Sequence, residues 1–319
     1  MRTLAGVAAA LGALALAAAA LCGILHLALD NPSFPGAGEI PAVPESRYRV
    51  AVLGDSQKGL RNLANLLREI RKENVRFILH TGDLVSDNDD GHYRLAALAL
   101  RRGNPGVPFL AVPGNHDVKG GYERFERRLG PPERAFVAGR VAFVLLDNAL
   151  GAPPDPSRIE RRLATLPPHE VAVLAFHVPP FDARGNVLPG YEPFLEWLKR
   201  APRVRYALCG HVHDYVRREV GNAILIANGV GGDYESWQLR QKVYATILEV
   251  DGDRIADRTL ELSPEHGLVE NLEHLALGHV AETFRGRPVA CWSATALVAL
   301  GTGLGWGFRR LGTRPARIS

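Results

Sequence analysis

Five apolar runs in the sequence end in polar side chains of the kinds that bind metal ions or transfer protons. In chain order these residues are Asp55, Asp83, Asn115 with His116 and Asp117, His177, and His211 with His213. One such ending could be an ordinary turn, because Gly, Asn and Asp are common turn formers. In an open α/β sheet, however, ligands bind at the carboxyl ends of the strands. The fivefold pattern therefore predicts a metal site at that edge.

The donor types favour particular metal ions. Carboxylate, amide and imidazole ligands suit Mn, Fe or Zn, and the absence of nearby thiolates excludes a structural zinc site of the cysteine type. His211 and His213 lie two residues apart, so in an extended segment both point to the same side and each can serve a different ion. Asp83 has two oxygens and can bridge. Two ions roughly 3.5–4 Å apart can clamp a phosphoryl oxygen and bind a hydroxide between them for in-line attack.

His116 is the candidate acid. It follows Asn115 directly, so it faces the same edge without being needed for coordination. There it can donate a proton to a leaving oxygen or stabilise charge on a phosphoryl group. Asp117, the next residue, is placed to orient the imidazole.

The segments between these residues predict the elements that hold them. From Arg47 to Leu262, apolar runs alternate with amphipathic stretches, as in GLRNLANLLREIRKE, which carries its leucines on one helical face. Continuous apolar runs separated by helices indicate strands buried on both faces, so helices should cover a sheet or a pair of sheets. The end of the region differs, because its strand-like segments are joined by an Asp-Gly turn suited to a hairpin.

The ordered motifs resemble those of calcineurin-like metallophosphoesterases. They are GDSQ (54–57), GDLVSD (82–87), GNHD (114–117), FHVPPF (176–181) and GHVH (210–213). The resemblance implies a four-layer αββα sandwich of two mixed β-sheets flanked by helices, built around two divalent metal ions. By motif, one ion takes Asp55, Gln57, Asp83 and His213; the other takes Asp83, Asn115, His177 and His211, with His116 as the acid.

Gln57 departs from the family pattern. The first family motif usually reads Asp-x-His, and Gln57 stands in the place of that histidine. A glutamine carbonyl oxygen can still bind a hard ion, though more weakly than an imidazole. We therefore expect a weakened first metal site beside an intact second one.

Several other polar residues have simpler interpretations. His80 lies inside an apolar run and is expected to be a buried, hydrogen-bonded histidine rather than a ligand. Asp147 and Asn148 are expected to form a turn. Asp87 to Asp90 predict a solvated loop, and His92 beyond it is a weak candidate for substrate contact.

The expected function is hydrolysis of a phosphate monoester, a diester or a pyrophosphate bond by a metal-bridging hydroxide. The alternative is a non-catalytic metal- or phosphate-binding membrane module with a weakened first site. The substrate is expected to be a phosphorylated small molecule or lipid. Nucleic acid is not expected, because the formal net charge is only +4 and the basic excess is not one coherent run. Cys209 stands alone in the domain, which excludes a disulfide framework there.

Both ends of the sequence contain apolar segments. Leu4 to Leu29 and Val289 to Phe308 each reach the roughly 20 residues that a helix needs to cross a bilayer. A cleaved signal peptide is the alternative for the first segment, and a buried core helix for the second. Arg2 and the four tail arginines predict that both ends are cytoplasmic and the domain between them is outside.

The predicted organisation follows from these boundaries. Its parts are a transmembrane anchor or signal sequence at 1–30, a Pro/Gly-rich linker at 31–46, the metallophosphoesterase domain at 47–262, an amphipathic helix at 263–287, a transmembrane helix at 288–308 and a basic tail at 309–319.

Overall fold

The computed structural model describes residues 34–263 except 35, 105, 183 and 230–241, together with positions 12, 17, 287 and 293. The chain divides into two compact units, and the one formed by Pro32–Glu270 contains every element named below. None of the helices in the described part of the chain is both long and apolar enough for a membrane span. The two apolar segments predicted to cross a membrane and the predicted amphipathic helix fall almost wholly outside the described residues.

The described elements alternate in the order expected for an α/β protein. The strands are β1 (Arg47–Leu53), β2 (Phe77–His80), β3 (Phe109–Ala111), β4 (Arg134–Ala138), β5 (Val141–Leu145), β6 (Val171–Ala175), β7 (Val204–Cys209), β8 (Tyr215–Val220), β9 (Ala223–Asn228), β10 (Val243–Asp251) and β11 (Arg254–Leu262). The helices are α1 (Leu60–Lys72), α2 (Asp90–Gly103), α3 (Glu123–Leu129), α4 (Pro156–Thr165) and α5 (Glu192–Arg200).

The strands form two mixed sheets. The first has the order β11-β10-β1-β2-β3, and the second has the order β4-β5-β6-β7-β9-β8. In the first sheet β1, β2 and β3 are parallel, while β10 and β11 run antiparallel to their neighbours. In the second sheet β5, β6, β7 and β9 are parallel, and the two edge strands are antiparallel. The parallel strands of each sheet therefore end on a common edge.

Three apolar cores separate four layers. Val52 and Leu79 of the first sheet pack with Phe143 and Leu208 of the second in a core between the sheets. The opposite face of the first sheet packs against α1, α2 and α3, and the opposite face of the second packs against α4 and α5. This confirms the expectation of two mixed sheets flanked by helices. It also explains the continuous apolar runs, because all five residues of β6 are buried.

Local sequence signals account for the starts of two helices. Asp89, expected in a solvated loop, accepts a hydrogen bond from the His92 backbone N–H and so caps α2. Asp155 caps α4 in the same way, with Pro156 at the first helical position. The loop prediction was therefore wrong at Asp90, which is the first residue of α2.

Residues before β1 contact the domain. Phe34 and Val43 are buried, and the backbone N–H of Gly38 donates to the carbonyl of Phe109 in β3. The described part of the Pro/Gly-rich segment therefore lies against the domain, because its few apolar side chains join the cores on either side of the first sheet.

Candidate metal centre

Five strand ends from both sheets meet at one site. Asp55, Asp83 and Asn115 follow β1, β2 and β3 of the first sheet, and His177 follows β6 of the second. His211 and His213 lie between β7 and β8. In the described residues, ligand atoms of two groups approach within 4.8 Å of one another: Asp83, His177 and His211, and Asp55, Asp83 and His213. These are the groupings expected from the sequence motifs; that they bind metal stays a prediction.

The second site comprises Asp83, Asn115, His177 and His211, and its donor atoms lie close together. The Oδ1 atom of Asn115 lies 3.1 Å from Nε2 of His177 and 3.1 Å from Nδ1 of His211. The two ring nitrogens are 3.2 Å apart, and Nε2 of His177 is 3.4 Å from Oδ2 of Asp83. One carboxylate oxygen, one amide oxygen and two imidazole nitrogens thus surround a single point.

The first site comprises Asp55, Gln57, Asp83 and His213, and it shares the Oδ2 atom of Asp83 with the second site. Nε2 of Gln57 lies 3.1 Å from Oδ2 of Asp83 and 3.3 Å from Nε2 of His213. His213 Nε2 is also 3.4 Å from Oδ1 of Asp55. The same Asp83 oxygen, Oδ2, therefore faces both sites, while its Oδ1 accepts the backbone N–H of His116 at 2.9 Å.

The backbone is unusual where these residues lie. Five of the site residues have positive φ although they are not glycine; they are Asp55, Gln57, Asp83, His211 and His213. Such a conformation costs a residue with a Cβ on the order of 1–3 kcal/mol, and it persists only where the surrounding structure enforces it. Gly114 and Gly210 permit the close approach, because a Cβ on either would collide with a carboxylate oxygen of Asp83 or Asp55.

Asp83 and His177 form a buried pair whose charges depend on each other. Burial favours the neutral form of Asp83, but the hydrogen bond and charge of His177 outweigh it and lower its pKa to about 2. Burial likewise lowers the pKa of His177, yet Asp83 outweighs this and raises it to about 9. Two buried carboxylates, Asp55 and Asp83, thus need positive charge beside them. Divalent cations bound by this oxygen and nitrogen donor set would supply that charge, so the residues present fit such ions.

His116 is half-buried and its ring is held from one side. Nδ1 lies 2.7 Å from the carbonyl oxygen of Ser86, and a carbonyl can only accept, so Nδ1 carries a proton. Ser86 belongs to the GDLVSD motif, but a main-chain carbonyl leaves no signal in the residue type. The ring's partner was therefore missed from the sequence.

Asp117 makes different contacts from those expected. Its buried carboxylate accepts the backbone N–H groups of Val85 at 3.1 Å and Gly114 at 2.9 Å, instead of contacting the His116 ring. The contact predicted for Asp117 is therefore corrected, because main-chain donors of two site loops occupy both of its oxygens. Burial and then the charge of Asp83 raise the pKa of Asp117 to about 7.

Of the remaining polar residues, His80 matches the expectation from the sequence and Asn148 does not. His80 is buried, with Nε2 2.9 Å from Oγ of Ser56, and burial lowers the pKa of His80 to about 3; the expectation of a structural histidine is confirmed. Asn148, expected only to shape a turn, instead hydrogen-bonds the backbone of His177. The signal was available, because Asn148 also follows an apolar strand at the edge where the other site residues lie.

The family of the chain is shown by comparison with known proteins. The model of the calcineurin-like phosphoesterase family matches residues 48–215, more than half of the chain. The chain therefore belongs to that family of phosphoester hydrolases, whose members typically bind divalent metals.

Individual relatives are distant. The chain is 25% identical over 234 residues to the 3′,5′-cyclic adenosine monophosphate phosphodiesterase CpdA of Escherichia coli (strain K12), covering 66% of this chain and 79% of that protein. The protein of the same name from Vibrio vulnificus is 24% identical over 173 residues, covering 50% of this chain and 62% of that one. Among solved structures, purple acid phosphatase PPD1 of yellow lupin (Lupinus luteus) has a TM-score of 0.47 and 14% identity, covering 76% of this chain and 56% of that chain.

Proposed function

We propose that the chain is a dinuclear metallophosphoesterase that hydrolyses a phosphate mono- or diester. The observation that carries the proposal is that Asp83 belongs to two groups of donor atoms, with His177 and His211 in one and with Asp55 and His213 in the other. One shared carboxylate oxygen between two sets of nitrogen and oxygen donors is the arrangement that a two-metal site needs. Bound divalent ions would supply Lewis-acid activation of the phosphoryl group and of a water molecule.

The chain's own residues supply the proton chemistry. Because His116 Nδ1 donates to the Ser86 carbonyl, Nε2 is the ring nitrogen that can serve a substrate. The ring follows Asn115 of the second site, and its backbone N–H donates to Asp83, so its position is tied to both donor sets. We propose that Nε2 protonates the leaving oxygen or stabilises charge on the phosphoryl group, and that Asp117 holds the loops of Asp83 and Asn115 together.

The substrate class is open to a direct test. The similarity to CpdA supports including a cyclic nucleotide diester beside aryl monoesters, aryl diesters and lipid phosphates. We expect the parent protein to hydrolyse at least one of these esters with added Mn²⁺ and to lose that activity in a chelator. Binding of metal without hydrolysis of any ester would favour the non-catalytic alternative.

His116→Asn tests the proposed acid. The variant keeps a polar side chain but cannot transfer a proton, so kcat should fall about 100-fold or more, within the usual range for loss of an acid–base group. Metal stoichiometry should stay at the parental value, because no donor atom is removed. Unchanged kcat on an ester with a poor leaving group would contradict the role of His116.

We further propose that the domain lies outside the cytoplasm, between two membrane spans. The flanking arginines support this orientation. A reporter that works only outside the cytoplasm should be active when it is fused after Ser46 and silent when it is fused after Ser319. The opposite pattern would place the active site in the cytoplasm.

A further inference from the structure

Asn148 lies behind the second site and is almost fully buried. It follows β5, and its side chain reaches the turn that begins with His177 after β6. Oδ1 accepts the backbone N–H of His177 at 2.8 Å and that of Val178 at 2.9 Å. Nδ2 donates to the carbonyl of Val178 at 2.9 Å and lies 3.1 Å from the hydroxyl of Tyr191.

The amide uses its full hydrogen-bonding capacity on this turn. Two acceptor positions and two donor hydrogens are all that an asparagine side chain has, and each has a partner here. Tyr191 completes the set, because its hydroxyl donates to the same Val178 carbonyl at 3.1 Å. Asn148 thus binds the polar backbone atoms of a segment that has left the β6 ladder and would otherwise bury them without partners.

The turn that Asn148 holds determines where the His177 ring points. The ring is fixed at its other nitrogen, since Nδ1 lies 2.8 Å from the carbonyl oxygen of Thr81 and must donate to it. With the backbone held by Asn148 and Nδ1 held by Thr81, Nε2 can face only the donor atoms of Asn115, His211 and Asp83.

We propose that Asn148 is a positioning residue for the second metal site, acting through the backbone of His177. The inference rests on the proposed function, since it concerns that site's affinity for a divalent ion. No other side chain supplies the same set of contacts. Aspartate lacks the two donors and would add a buried negative charge, glutamine is one methylene longer, and alanine leaves two backbone N–H groups without an acceptor.

The test is calorimetric titration of metal-stripped full-length protein with Mn²⁺. The parent should show one tight and one weaker binding step, the tight step belonging to the second site. Asn148→Ala should weaken the tight step about 10- to 100-fold, the usual effect of losing a group that orients a ligand. Asn148→Ser, which keeps one acceptor, should fall between the two. Tyr191→Phe should have a smaller effect, because Asn148 keeps its contacts with both backbone N–H groups.

Asn104→Ala is the matched control. Asn104 is equally buried and also donates to a backbone carbonyl, that of Val107, but it lies at the end of α2 and contacts no site residue. The Asn104→Ala variant should lose thermal stability with no change in either Mn²⁺ step. If Asn148 had a purely structural role, Asn148→Ala would likewise lose thermal stability with no change in either Mn²⁺ step.

Each outcome bears on the inference. A folded Asn148→Ala protein with the parental tight Mn²⁺ step overturns the inference. If Asn148→Ala fails to fold, a parental tight step in folded Asn148→Ser overturns it instead. A parent without any tight Mn²⁺ step overturns the proposed function itself, and the inference falls with it.

Discussion

Asp83→Asn should lose hydrolysis to background and lose at least one bound ion in the same variant. The backbone N–H of His116 donates to Oδ1 of Asp83, so in the variant this donor keeps the amide oxygen at the Oδ1 position. The NH₂ group of the asparagine then occupies the place of Oδ2, the atom that faces both Gln57 and His177. One substitution thus replaces an anionic ligand shared by both sites with an NH₂ group, whose hydrogens repel cations.

Metal content and turnover have to be measured on the same preparation. The matched control is Asp257→Asn, which removes a largely buried carboxylate whose partners, Arg217 and Tyr206, lie outside both donor sets. We expect that control to match the parent in metal content and in kcat. Parental metal content and normal turnover in folded Asp83→Asn would refute the dinuclear assignment.

The sequence predicted the site better than the fold that carries it. Site residues are visible because polar side chains interrupt apolar runs at the same point of each strand, and parallel strands bring those points together. The assignment of strands to two sheets is different, because β10 pairs with β1 across almost the whole domain. No local pattern contains that information.

Two strands of the second sheet lack a clear strand signal in the sequence, for a physical reason. β4 and β8 are the edge strands, and buried residues mix with partly or fully exposed ones along both. Their segments therefore lack the continuous apolar character that marked β5 and β6. The partners of His116 and Asp117 were missed for another reason, because main-chain groups of Ser86, Val85 and Gly114 supply them. Every residue has these groups, so the residue type does not reveal them.

For Gln57 the structure gives the orientation of the side-chain amide, which the sequence alone does not contain. Its amide nitrogen, rather than its oxygen, faces Asp83 Oδ2 and His213 Nε2. In this orientation the amide donates to Asp83 Oδ2, which would bind the first ion, and contacts His213 Nε2. Binding of the ion through Gln57 needs the amide to rotate by half a turn and present Oε1, which costs the hydrogen bond to Asp83. The first site should therefore be the weaker of the two for two reasons: a weaker ligand type and a competing hydrogen bond.

Substitution of Gln57 should change the number of ions held at limiting metal. The parent should hold one ion after dialysis and need added Mn²⁺ for full activity. Gln57→His restores an imidazole nitrogen as a metal ligand, and nitrogen ligands suit these ions. The ring also cannot donate hydrogen bonds to Asp83 and His213 in the way that the amide does. The first ion should therefore be retained. Turnover need not rise, because a tighter site can also hold product longer.

Gln57→Ala separates the two contributions of the amide. The alanine removes both the ligand oxygen and the competing N–H donor, so the first site keeps only Asp55, Asp83 and His213. If the lost ligand dominates, Mn²⁺ affinity of the first site should fall more than about 10-fold, at least as much as losing an outer partner costs. The second site should be unaffected, because Gln57 contacts none of its donors except Asp83. If Gln57→Ala instead binds both ions as tightly as the parent, Gln57 is not a ligand, and water completes the first site.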